Sequence, residues 1–148
     1  MPTPDQDALT WLSDFQAACR AKDFDTGRRM FAQDAVAFGT WAMAVHGLDN
    51  IVREQWQNVW PRISGFTFDP KPDVRGDGDT AWIAAGWRSE ATGPDGKPFT
   101  RPGRATFILS RRDGRWLCVH SHVSLQPTQS ESALHGFALP QSQCIRFA

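Results

Sequence analysis

Residues Arg104 to Pro127 read RATFILSRRDGRWLCVHSHVSLQP, and this stretch decides the fold. Asp113-Gly114 is a two-residue turn of the type that joins antiparallel strands, because both of its residues must take positive φ. Alternating apolar residues flank the turn on each side, which predicts long strands over Thr100–Arg111 and Arg115–Gln126. Further back, Pro94-Asp95-Gly96 and Gly76-Asp77-Gly78-Asp79 are turn sequences. They bracket a third long strand, Thr80 to Thr92, and Phe66 and Phe68 alternate before Pro70 as a shorter one.

The first 60 residues have a different period. From about Asp5 to Ala21, the residues Ala8, Trp11, Leu12, Phe15, Ala18 and Cys19 fall at helical spacing and form one core stripe. A second helix is predicted from about Asp25 to Gln33, presenting Met30 and Phe31, followed by a strand-like Ala35-Val36-Ala37-Phe38. Gly47 and Asn50 open a third helix, with Ile51, Val52, Gln55, Trp56, Val59 and Trp60 on one side and a stop at Pro61. Helices first and an antiparallel meander afterwards indicate an α+β fold, three N-terminal helices on one face of a curved sheet.

Side-chain parity separates the sheet faces. Ile83, Ala85 and Trp87, then Ala105, Phe107 and Leu109, then Leu117, Val119, Ser121, Val123 and Leu125 suit the face under the helices. The opposite face receives Trp82, Ile108, Trp116 and Cys118, too apolar for water, so a homodimer through that outer face is expected.

Composition narrows the function. Seven Trp, ten Phe and no Tyr stand in a chain that is 41% apolar and 22% charged. Sixteen basic residues balance sixteen acidic ones, which gives no footprint for nucleic acid and does little to oppose self-association. The doublets Arg28-Arg29 and Arg111-Arg112 read as solvated surface. Cys19, Cys118 and Cys144 are odd in number and widely spaced, so they read as reduced thiols. No signal sequence or apolar run long enough for a membrane span is present, and a cytoplasmic location is expected. Residues 1–127 are taken as one domain and 128–148 as a Ser- and Gln-enriched tail, docked or partly disordered.

The Arg104–Pro127 stretch resembles the closing hairpin of SnoaL-like proteins in the nuclear transport factor 2-like (ketosteroid isomerase-like, cystatin-like) superfamily. It is also similar to the association (hub) domain of calcium/calmodulin-dependent protein kinase II, with the RRDG turn, the Trp after it and the Val-His-x-His-x-Ser run. The resemblance implies a cone-shaped domain with one interior pocket, commonly in a dimer. In the kinase hub, that pocket holds small carboxylates with a histidine, a tryptophan and three arginines. Carried without gaps from the RRDG turn, the arginine positions fall on Trp87, Phe107 and Val123, the histidine near Val52 and the tryptophan on Trp60. The resemblance therefore implies an aromatic, uncharged pocket for a flat or apolar ligand rather than a small acid. Its expected lining is Trp41, Val52, Trp56, Trp60, Trp87, Phe107, Ser121 and Val123.

Ketosteroid isomerase chemistry is not expected. Ala32-Gln33-Asp34-Ala35 resembles a segment of that enzyme, but counting along from it puts the catalytic base on Gly39, and the chain has no Tyr to serve as oxyanion donor. His46, near the expected pocket mouth, and Asp34 are the candidate bases, although a solvent-facing loop histidine and a helix-end backbone cap explain them as well. His120 and His122 form an H-x-H pair that would need a third ligand such as Glu90 to hold a metal, and hydrogen bonding at the hairpin and dimer interface is the plainer explanation. Arg101 and Arg104, at a strand start, read as surface or dimer contacts, with a ligand acid as the alternative. Three functions compete: a cofactor-free binding protein for a small molecule, a cofactor-independent isomerase, cyclase or dehydratase, and an oligomerisation module.

Overall fold

The computed structural model describes residues 1–127; the tail, 128–148, lies outside the described residues. Helix α1, Pro4–Ala21, starts on a reciprocal cap. Thr3 Oγ1 accepts from the Gln6 backbone N–H at 3.2 Å, and the Thr3 N–H donates to Gln6 Oε1 at 2.8 Å. It ends at Lys22, in the left-handed conformation with φ 55°. Its buried stripe is the one its spacing predicts, Ala8 through Cys19.

Helix α2 is shorter than predicted, Phe24–Arg29. Strand β1 begins at Phe31 and runs to Phe38, so the last three residues of the expected helix are strand instead. The cause is tertiary: β1 pairs in parallel with the last strand, and the Met30 carbonyl accepts from the Cys118 N–H at 2.9 Å and from Trp11 Nε1–H at 3.2 Å. Strand β2 is the pair Val45–His46.

A continuous helical segment occupies residues 48–62 but changes type along its length. An α turn at Leu48–Ile51 leads into a π turn at Val52–Trp56, then α at Gln57–Val59 and a 3₁₀ turn at Trp60–Arg62. Strands β3 (Ser64–Phe68), β4 (Asp73–Asp77), β5 (Thr80–Thr92), β6 (Pro98–Arg112) and β7 (Arg115–Leu125) complete the sheet. Its order is β2-β1-β7-β6-β5-β3, with β4 also on β5, and every pairing but β1 with β7 is antiparallel. Asp113 and Gly114 take φ of 51° and 74°, as the hairpin turn requires.

One irregularity changes the reading of the faces. Ile108 pairs with His120 but Leu109 with Cys118, so Val119 is an extra residue on β7. The bulge reverses parity for everything before it. Cys118 is fully buried, and Trp116 packs against the core with its Nε1–H on Asp7 Oδ2 at 3.0 Å. Both face the helices rather than the outside. The expected outer patch of four apolar residues thus keeps only Trp82 and Ile108, which are 42% and 37% exposed.

Candidate functional site

Between the helices and the concave face of the sheet lies a small cavity, partly open to solvent. Aromatic rings form most of its wall. Trp56 and Trp60 stack with centroids 4.6 Å apart and planes 13° from parallel, and Phe24 continues the stack on Trp60 at 5.2 Å. Phe15 of α1 sits edge-on to Trp60 at 5.9 Å and to Phe107 at 5.5 Å. Phe66 leans on Trp87 from the side of β3, with centroids 5.4 Å apart. Such pairs orient through their ring quadrupoles as well as burying area.

Six of the eight expected lining residues meet here: Trp56, Trp60, Trp87, Phe107, Ser121 and Val123. The positions that correspond to the hub arginines and tryptophan are therefore all on the cavity wall. Two expected residues are elsewhere. Val52 is buried in the core without reaching the cavity, and Trp41 is 64% exposed, its ring under the Arg62 guanidinium at 5.3 Å.

Neither candidate base reaches the cavity wall. His46 is exposed on β2, its carbonyl accepting from Asn50 Nδ2 at 2.9 Å. Asp34 lies within β1 and pairs with Arg112 at 2.9 Å, so it caps no helix; the cap of α2 is Asp23, whose carboxylate accepts from the Thr26 N–H at 3.0 Å. Gly39 is at the cavity edge, and a Cβ there would overlap the Gln55 amide. His120 and His122 lie on the outer face, each edge-on to Phe38, and His120 Nδ1 donates to the Val36 carbonyl at 2.8 Å. Glu90 instead accepts from Thr100, and no metal-type group of three acidic, His or Cys side chains occurs among the described residues.

Sequence reasoning missed several wall residues. Phe15 and Cys19 read as ordinary core, which their helical spacing made them. Gln55 was legible as the one polar residue in the apolar stripe of the third helix. It is buried, and its amide secures the loop at the cavity edge: Oε1 accepts from the N–H groups of Trp41 at 3.0 Å and Ala42 at 2.7 Å, and Nε2 donates to Thr40 Oγ1 at 3.3 Å. The π turn that carries Gln55 belongs to a class of irregularity often found at functional sites.

Arg101 overturns the expectation of an uncharged pocket. It lines the cavity, shares parity with Phe107, and sits opposite the buried Ser89. Nη1 donates to Ser89 Oγ at 3.0 Å, and the guanidinium carbon is 5.6 Å from the centroid of Trp87. Burial lowers its pKa from the usual arginine value, yet a guanidinium stays protonated at neutral pH. The other titratable wall residue is Cys19, whose thiol burial pushes up to about 12, so it is neutral at pH 7.

Helices closing over a strongly curved sheet around one cavity define the nuclear transport factor 2-like class. A nuclear transport factor 2-like superfamily protein from Salmonella enterica superposes with TM-score 0.73 at 17% identity, covering 84% of this chain and 92% of that one. A ketosteroid isomerase-like protein from Erwinia carotovora atroseptica gives 0.75 at 15% identity, covering 86% and 100%. Within that class the chain belongs to the SnoaL-like domain family, whose model matches residues 9–129. It is also similar to the calcium/calmodulin-dependent protein kinase type II of Caenorhabditis briggsae, 26% identical over 125 residues that make up 83% of this chain and 23% of the kinase. The chain thus spans less than a quarter of the length of the curated relatives it matches.

Proposed function

We propose that this protein binds a small, flat, largely aromatic molecule in the cavity and acts without a cofactor. The observation that carries this reading is the chemistry of the wall: stacked indoles and phenyl rings, a few fixed polar groups, and no Asp, Glu or His among the described lining residues. A general base must come within hydrogen-bond reach of the proton it takes. The arrangement therefore favours binding over acid–base turnover. The test is calorimetric titration with benzamide as a neutral ring probe. One molecule is expected to bind per chain, and Trp60→Leu is expected to weaken binding about tenfold by removing an aromatic edge from the wall and loosening the stack that holds Trp56. No binding to the wild-type chain of either benzamide or its anionic counterpart benzoate would contradict the reading.

The same reading makes the protein a homodimer through the outer sheet face. Trp82 pairs with Ile108, and Ile108 with His120, across three adjacent strands. Phe38 rests on that histidine. This stripe is a contiguous apolar surface of the sort that marks an interface. Native mass spectrometry is expected to give a dimer that Ile108→Glu converts to monomer; a wild-type monomer would refute it. A cytoplasmic location accords with the free thiols of Cys19 and Cys118, and no described helix is long and apolar enough to cross a membrane.

A further inference from the structure

Two features of the cavity wall are unexplained by an apolar ligand alone. Arg101 is a half-buried cation with no carboxylate partner among the described residues. Of its five N–H donors, one has a described side-chain acceptor, the hydroxyl of Ser89. Holding an arginine partly out of water without an anion is unfavourable; its neighbours in the same row of the strand, Phe99 and Gly103, offer it no counter-charge. The second feature is Trp87 Nε1, a buried side-chain donor without a hydrogen-bond partner among the described residues. Buried indole N–H groups ordinarily find an acceptor, as those of Trp11 and Trp116 do in this protein. An unpaired cation and an unpaired donor thus belong to one stretch of wall, stacked on each other. Gly103 makes room for the indole: a Cβ there would overlap the Trp87 ring.

We infer that the ligand carries a carboxylate, and that the site takes an aromatic monoacid with its carboxylate on the Arg101 guanidinium, beside Trp87, and its ring among the wall aromatics. A carboxylate has acceptor capacity for both donors at once, and a guanidinium presents a planar fork that matches it. A neutral ring would leave the arginine unpaired. Arg101 does this from a position other than the three where the kinase hub resemblance places arginines, which here are Trp87, Phe107 and Val123. The inference rests on the cavity being the ligand site.

The experiment compares benzoate with its neutral isostere benzamide at pH 7 on the full chain, by calorimetry. Benzoate is expected to bind at least tenfold more tightly. Arg101→Gln is expected to weaken benzoate by about 10- to 100-fold, the usual worth of a hydrogen-bonded charge pair, and to weaken benzamide, whose carbonyl is an uncharged acceptor, by several-fold less. Arg101→Lys, which keeps the charge but loses the fork, is expected to fall between. A cooperative thermal unfolding transition near that of the wild type certifies that each variant is folded. Equal affinity for the two probes, or benzoate binding indifferent to Arg101→Gln, would overturn the inference while the aromatic cavity stands. Failure of both probes on the wild-type chain would overturn the cavity reading and this inference with it.

Discussion

Gln55 Oε1 lies 2.7 Å from the Ala42 backbone nitrogen and accepts its hydrogen bond. The same oxygen takes the Trp41 N–H, so one buried side chain holds the loop at the cavity edge. Gln55→Ala removes the acceptor of both N–H groups, and each hydrogen bond of this kind is worth about 0.5–1.5 kcal/mol. Urea denaturation is expected to show a loss of about 2 kcal/mol. Amide exchange at Trp41 and Ala42 is expected to rise while exchange on β5 and β6 does not. Unchanged exchange at those two amides would remove the latch role.

Phe107 is wholly buried where the cavity wall meets the core, in contact with Trp11, Phe15 and Phe68. Truncation to alanine is expected to cost about 3–5 kcal/mol, as large-to-small changes of buried aromatics do. Chemical denaturation checks it. A cost below about 1 kcal/mol would mean that the site collapses freely and that the packing is looser than described.

Gly103 has no side chain because Trp87 occupies the space. Gly103→Ala is expected to destabilise by about 1–3 kcal/mol through overpacking. It is also expected to shift the tryptophan emission by displacing the Trp87 ring. A variant as stable as the wild type with unchanged emission would show that the ring is not seated there.

Cys19 carries a pH signature. Its folded thiol titrates near 12 against 9.0 for the ordinary value, the upward shift coming chiefly from burial. Ionisation is thus easier in the unfolded chain, and stability is full below pH 9 and falls as pH climbs from 9 towards 12. Cys19→Ala is expected to make that decline shallower. At pH 8, iodoacetamide is expected to label Cys19 and Cys118 far more slowly in the folded than in the unfolded chain, since only the thiolate reacts and both thiols are buried. Peptide mapping reads each cysteine separately.

What the sequence made legible follows from the range of each signal. The Asp113-Gly114 hairpin, the stripe of α1 and the inner row of Ile83, Ala85 and Trp87 are local patterns, and the structure has them where the patterns put them. Strand β1 escaped in part because its partner is β7, nearly ninety residues away in the chain, and a window over Met30 and Phe31 sees only helical spacing. The bulge at Val119 escaped because alternation continues through it unbroken; only the pairing register reveals that Trp116 and Cys118 have changed sides. The cavity wall was legible where family resemblance and parity agreed, as at Trp87, Phe107 and Val123. Arg101 was legible by parity alone, sharing its face with Phe107, but its charge argued for the surface.

The most direct test of the central claim, that the cavity is a ligand site, is crystallographic. Crystals of the full chain soaked in 4-bromobenzyl alcohol are to be measured at the bromine absorption edge. The expected result is one anomalous peak per chain inside the cavity, between the rings of Trp60, Trp87 and Phe107. Bromine peaks confined to the molecular surface, with the cavity unoccupied at saturating probe, would contradict it.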